Sequence, residues 1–171
     1  YNSEKADWVL GQGLFAADPK RTDQRILVDN TNGNVRVGAA WTVDTAFPGF
    51  KGIDYLTTPA QAASLSNVVY APKLTTGSYI IEVFIPNGTN LATGATYEIR
   101  QGATVVATDT IDQQANAGLW VRIQVGQTTR WSNDDLAPLS LVVTGTSNPA
   151  TGDVVADQVR FIRTADLSVR S

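Results

Sequence analysis

Apolar and polar residues alternate in short runs along most of this chain, and glycine, proline or asparagine breaks the runs every few residues. A period of two puts successive side chains on opposite faces of an extended strand. The clearest case is Tyr79-Ile80-Ile81-Glu82-Val83-Phe84-Ile85, stopped by Pro86-Asn87-Gly88. Tyr79, Ile81, Val83 and Ile85 share one face; Ile80 and Phe84 make the other face apolar enough to predict partial cover on both sides. Thr96-Tyr97-Glu98-Ile99-Arg100 and Ala103-Thr104-Val105-Val106-Ala107-Thr108 flank Gln101-Gly102, a hairpin signal. Further strands are predicted at Ile26-Leu27-Val28, Val35-Arg36-Val37, Val68-Val69-Tyr70, residues 119–125 and Leu139-Ser140-Leu141-Val142-Val143. The stretch Val154-Val155-Ala156-Asp157-Gln158-Val159-Arg160-Phe161 reads as one closing strand, with Val155, Asp157, Val159 and Phe161 on its inner face. No stretch supports a helix of normal length. Roughly ten short strands separated by turns predict an all-β fold, a two-sheet antiparallel β-sandwich of jelly-roll type.

An acid on the inner face of a strand is costly unless donors meet it, so Asp157 demands hydrogen bonds from elsewhere in the fold. Val-Val-Ala-Asp-Gln-Val-Arg-Phe also resembles the closing strand of the golvesin C-terminal / xanthan lyase accessory-domain family. Other stations of that family stand in order: Val28-Asp29-Asn30, Gly38 with Trp41, Gly52-Ile53-Asp54-Tyr55 and Tyr70-Ala71-Pro72-Lys73-Leu74. Gly77-Ser78-Tyr79, Ala95-Thr96-Tyr97-Glu98-Ile99, Asp112-Gln113 and Gly118-Leu119-Trp120-Val121 follow. The resemblance runs from about Ile26 to Phe161. It implies a β-sandwich module of secreted proteins, often beside polysaccharide-degrading domains, and no defined activity. It divides the chain into an N-terminal arm (1–25), the sandwich (26–162) and a C-terminal tail (163–171).

Composition narrows the chemistry. The 171 residues contain no histidine and no cysteine, so disulfides, thiol nucleophiles, Ser-His-Asp triads and the usual zinc sets are excluded. A net charge of −3 argues against a nucleic-acid partner. No apolar run approaches the length of a membrane span. Methionine is absent, at position 1 as elsewhere, and a start at Tyr1 reads as a processed or trimmed end, which predicts export to the periplasm or cell exterior. The expectation is a non-catalytic module that binds carbohydrate or a cell surface. The alternative is a structural subunit of an extracellular or membrane-associated assembly, and the partners are then polysaccharide or other protein subunits.

Sugars stack on flat aromatic rings while amide, carboxylate and guanidinium groups take their hydroxyls. Two clusters fit that description: Trp120 with Arg122 and Gln124 along one strand face, and Trp131 with Arg130 and Asn133 on a loop. Trp131, outside the family stations, is expected to be the more exposed indole. Among the acids, Asp29, Asp153 and Asp157, with Asp54 nearby, could form an oxygen-ligand cation site of the kind calcium accepts. The competing reading is structural: Asp157 accepts amides near Asn30 and pins the first strand to the last. That reading is preferred because the dense Asp-x-Asp-x-Asp spacing of calcium loops is missing, and no other cofactor is expected. Asp134-Asp135 reads as an exposed turn. Glu82 and Glu98, mid-strand, read as solvated partners of Arg or Lys rather than as a catalytic pair. In the arm, Trp8, Leu10, Leu14 and Phe15 are too apolar for an idle tail and are expected to dock on a partner or on the sandwich itself.

Overall fold

The computed structural model describes residues 24–164, which form strands and loops without a helix. The apolar arm residues Trp8, Leu10, Leu14 and Phe15 lie outside this range. Thirteen strands are present among the described residues. One five-stranded antiparallel sheet contains β1 (Arg25–Val28), β13 (Val159–Thr164), β6 (Gly77–Phe84), β9 (Trp120–Arg122) and β10 (Trp131–Asn133), with β9 and β10 sharing the free edge of β6. A second five-stranded sheet runs in the order β2 (Val35–Val37), β5 (Asn67–Tyr70), β11 (Leu139–Ser147), β7 (Ala95–Gln101) and β8 (Thr104–Ile111). A small third sheet joins β12 (Asp153–Ala156), β4 (Tyr55–Pro59) and β3 (Thr42–Asp44).

The core lies between these layers. Tyr79, Ile81 and Phe161 of the first sheet, Tyr70, Ile99 and Leu141 of the second, and Tyr55 and Val154 of the third belong to one continuous buried cluster. Buried phenols each find a partner: Tyr70 donates to the carbonyl of Asp157 at 2.6 Å, and Tyr97 takes the Gln113 side-chain amide at 2.6 Å. Gln113, fully buried, also exchanges both of its amide ends with the backbone of Val155. These paired polar groups fix the packing of the second sheet against the third, since an unmade buried hydrogen bond would cost about 1–3 kcal/mol. The β7–β8 hairpin turns at Gly102, whose φ of 60° suits glycine, and it closes as expected.

The closing stretch is not one strand. Val154 to Ala156 pair with β4 in the third sheet, whereas Val159 onward pair with β1 and β6 in the first. The chain changes sheets at Asp157-Gln158, so the period of two is interrupted there. Val154, Val155 and Ala156 are consequently all buried, while β13 resumes the expected alternation with Val159 and Phe161 inward. Beyond β2 the chain turns at Gly38 to Ala40, where the Trp41 amide donates to the Gly38 carbonyl at 3.2 Å.

Candidate ligand-binding site

Glu82 on β6 stands opposite Arg160 of β13 on one side and Arg122 of β9 on the other. Directly opposed residues share a face of the sheet, so the three side chains meet. Arg160 Nε donates to Glu82 Oε1 at 2.6 Å, and Arg122 donates to Oε2 through Nε (3.1 Å) and Nη2 (3.0 Å). Burial alone would raise the Glu82 pKa, but the hydrogen bonds from Arg160 and Arg122 outweigh it and hold the carboxyl below its ordinary value. The partner type matches expectation, although Glu82 is buried rather than solvated.

Trp120 sits at the edge of this group, half-buried. The Arg160 guanidinium lies 4.0 Å from the centre of its ring, and Phe84 meets it edge-on at 5.4 Å. The indole platform expected for a sugar is therefore already covered by a cation that Glu82 holds in place. Gln124 lies beyond the end of β9; its backbone amide donates to Asp109 and its side chain to the Gly126 carbonyl, so it does not join Trp120 and Arg122. Arg130 is exposed beside β10.

Trp131 and Asn133 are corrections. Both belong to β10, where Trp131 pairs with the core residue Tyr79, so the shared face carries the indole inward and leaves it 7% exposed. Asn133 is buried too: its amide donates to the carbonyls of Leu74 and Thr75 (3.2 and 3.1 Å), and its oxygen accepts the Leu139 amide at 2.7 Å. It works as a latch between loops and offers nothing to a ligand.

The acids divide as well. Asp157, 2% exposed, occupies the sheet-crossing corner and accepts the Lys51 amide on Oδ2 at 2.7 Å, while Oδ1 has no partner. Burial, and then the charges of Asp29 and Asp54, push its pKa up to about 7 against the single Lys51 hydrogen bond. The donor is thus the loop amide of Lys51, not an amide near Asn30. Asp29 is committed to its own turn, accepting the Thr31 amide and hydroxyl, and takes the Gln158 side chain at 3.3 Å. That last contact does tie the first turn to the closing crossover. Gly52, with φ 69°, lies so close to Asp29 that a Cβ there would stand 2.6 Å from Oδ1. Asp54 accepts the Asn30 amide at 2.6 Å. Asp153 stands apart, at the start of β12 opposite Pro59, and does not join Asp29 and Asp157. Among the described residues no group of three acidic side chains is placed to hold a metal ion. Asp134 accepts the Leu136 and Ala137 amides in an exposed turn, as expected.

The arrangement that sequence reasoning missed is a groove on the outer face of the second sheet. Arg36 of β2 is opposite Val69 of β5, and Val69 is opposite Val142 of β11. Beside this row Asn34, Ala71, Pro72, Lys73 and Ser140 complete a groove of about 510 Å³, rimmed by Gly102 and Pro138 at the hairpin end. That volume lies in the range of small-ligand sites. Its ionisable lining residues are Arg36 and Lys73, both cationic. On the same sheet face Glu98 is held by Arg100 at 2.7 Å. Alternation in Val35-Arg36-Val37 already turned Arg36 away from its neighbours; only the strand order brings Lys73 and Ser140 beside it.

The described residues thus form an all-β sandwich of paired sheets with an open groove on one face. The chain belongs to the Golvesin C-terminal domain family, whose model matches residues 26–163. It is similar in fold to the xanthan lyase of Paenibacillus, with a TM-score of 0.67 and 24% identity over 84% of this chain and 13% of that one. A family 35 carbohydrate binding module from Clostridium thermocellum aligns at a TM-score of 0.56 and 10% identity, over 81% of this chain and 97% of the module. The GH26-CBM35 β-(1,4)-mannanase of Podospora anserina aligns at 0.56 and 13% identity, over 85% of this chain and 28% of the enzyme. The chain therefore spans only a small part of the two enzymes it resembles. No curated protein matches it by sequence alone.

Proposed function

We propose that this domain is a non-catalytic carbohydrate-binding module, and that the groove between Arg36 and Lys73 is its saccharide site. The observation that carries this reading is the groove itself: an apolar floor of Val69, Ala71 and Pro72 with Asn34, Ser140 and two cations around it. Such a floor suits the C–H face of a pyranose, and the polar rim suits its hydroxyls. Similarity of fold to a family 35 carbohydrate binding module supports the reading, as analogy. The state of the glutamates supports a binding role as well: Glu82 is bound by Arg122 and Arg160, and Glu98 by Arg100. Neither is free to act as acid, base or nucleophile. On this reading the domain works outside the cell, where polysaccharides are found.

The test is a binding screen of the full chain against neutral and acidic polysaccharides by affinity electrophoresis, with Arg36→Ala/Lys73→Ala as the companion variant. Retardation of the wild type by at least one polymer, lost in the variant, is the expected result. No retardation by any polymer rejects the reading. The competing role, a structural subunit docking through Trp8, Leu10, Leu14 and Phe15, predicts association that disappears when residues 1–20 are deleted. A chain that stays monomeric at high concentration rejects that role.

A further inference from the structure

We propose that the groove selects a carboxylated saccharide, a uronate unit of an acidic polysaccharide, whose carboxylate sits between Arg36 and Lys73. The inference rests on the carbohydrate reading above and names its ligand class. Three observations carry it. First, the sign of the charge inverts locally: the whole chain has net charge −3, yet both ionisable residues of the groove are cations. An acidic polymer meets a net negative domain, and the paired cations of the groove offer it a local attraction. Second, among the described residues no aromatic ring lines the groove. A site for neutral sugar draws much of its affinity from stacking on such rings; without one, charge-assisted hydrogen bonds must supply it. Third, the competing surface is closed, because Arg122 and Arg160 are bound by Glu82 at 3.0 and 2.6 Å and Arg160 covers Trp120.

The chemistry assigns separate roles. The Arg36 guanidinium offers a planar fork that matches a carboxylate with two parallel hydrogen bonds, and Lys73 adds a mobile point charge. Asn34 and the Ser140 hydroxyl stand beside them for ring hydroxyls, over Val69 and Ala71. A ligand that loses its carboxylate keeps the floor and the hydroxyl contacts but leaves both cations unanswered.

The experiment titrates the full chain calorimetrically with a linear uronate oligosaccharide, its carboxyl-reduced neutral counterpart, and a sulfated oligosaccharide of similar length. The uronate is expected to bind at least about tenfold more tightly than either of the others, the loss expected when a charged hydrogen bond goes unmade. Raising salt from about 0.05 to about 0.5 M should weaken uronate binding strongly, since screening shortens the reach of the two cations. Arg36→Gln and Lys73→Gln should each weaken uronate binding about tenfold while leaving the melting temperature unchanged, and Arg25→Ala, an exposed cation on the other sheet, should leave binding unaltered. Equal binding of the reduced sugar overturns the carboxylate assignment and leaves the carbohydrate reading standing. Equal or tighter binding of the sulfated sugar overturns it too, replacing selectivity by bare charge. Uronate binding that survives both glutamine variants overturns the location. Failure of all three sugars, together with a silent polysaccharide screen, rejects the carbohydrate reading itself.

Discussion

Two surfaces of this sandwich carry cations, and they are in opposite states. On the first sheet, Arg122 and Arg160 converge on buried Glu82, and Arg160 lies over Trp120. On the second, Arg36 and Lys73 line an open groove with no acid among its described lining residues. The first surface has the residue types expected of a sugar site, yet its groups answer one another. The second has an undistinguished sequence, yet its groups are left to answer a ligand. Residue type along one strand therefore says less about binding than whether neighbouring strands have already satisfied each group.

The largest effect that separates framework from site is expected at Trp131. Its burial against Tyr79 predicts that Trp131→Ala destabilises the domain by about 3–5 kcal/mol. Chemical denaturation checks this, and an unchanged midpoint would mean the indole is a surface platform after all.

Next comes a pH effect at Asp157. The folded carboxyl keeps its proton up to about 7, whereas in the unfolded chain it ionises near its ordinary 3.8. Between those values the native state binds more protons, so this contribution to stability is fully present below about 4 and is lost as pH rises through about 7. The shift corresponds to about 4 kcal/mol at most. Glu82 runs the other way: its lowered pKa contributes stability above its ordinary 4.5 that is lost only as pH falls further. The chain has no histidine to add a competing slope between pH 5 and 8. Melting temperature is thus expected to fall from pH 5 to pH 8 in the wild type and to stay nearly level in Asp157→Asn. Parallel profiles would remove Asp157 as the cause.

Glu82→Ala should follow, at about 2–3 kcal/mol, because it strips the acceptor from two guanidiniums at once while emptying a buried position. Equilibrium unfolding measures it. The same variant is expected to leave polysaccharide binding intact, and loss of binding with stability unchanged would move the site to the Trp120 face.

How much of this could be read in advance follows the range of the interactions. The β7–β8 hairpin and the long strand β6 rest on local pattern and turn chemistry, and both are where the pattern put them. The likeness to the golvesin C-terminal family likewise rests on stations in chain order, which need no three-dimensional register. The break at Asp157-Gln158 was hidden because either half of that stretch is a sound strand; only their different partners, β4 and β6, reveal the crossing. Trp131 was misjudged for the same reason: its inward face is set by pairing with Tyr79, fifty-two positions upstream. The groove draws on Asn34 and Arg36, on Val69 and residues 71–73, and on residues 102 and 138–140, which become neighbours only through the strand order β2-β5-β11-β7. Arg36 and Lys73 each read as ordinary surface charge until that order is known.

The most direct test of the central claim compares Arg36→Ala/Lys73→Ala with Trp120→Ala on one acidic polysaccharide. Affinity electrophoresis at low salt should show the double variant unretarded and the Trp120 variant retarded like the wild type. Retardation lost in Trp120→Ala and kept in the double variant would contradict the account and return the site to the first sheet.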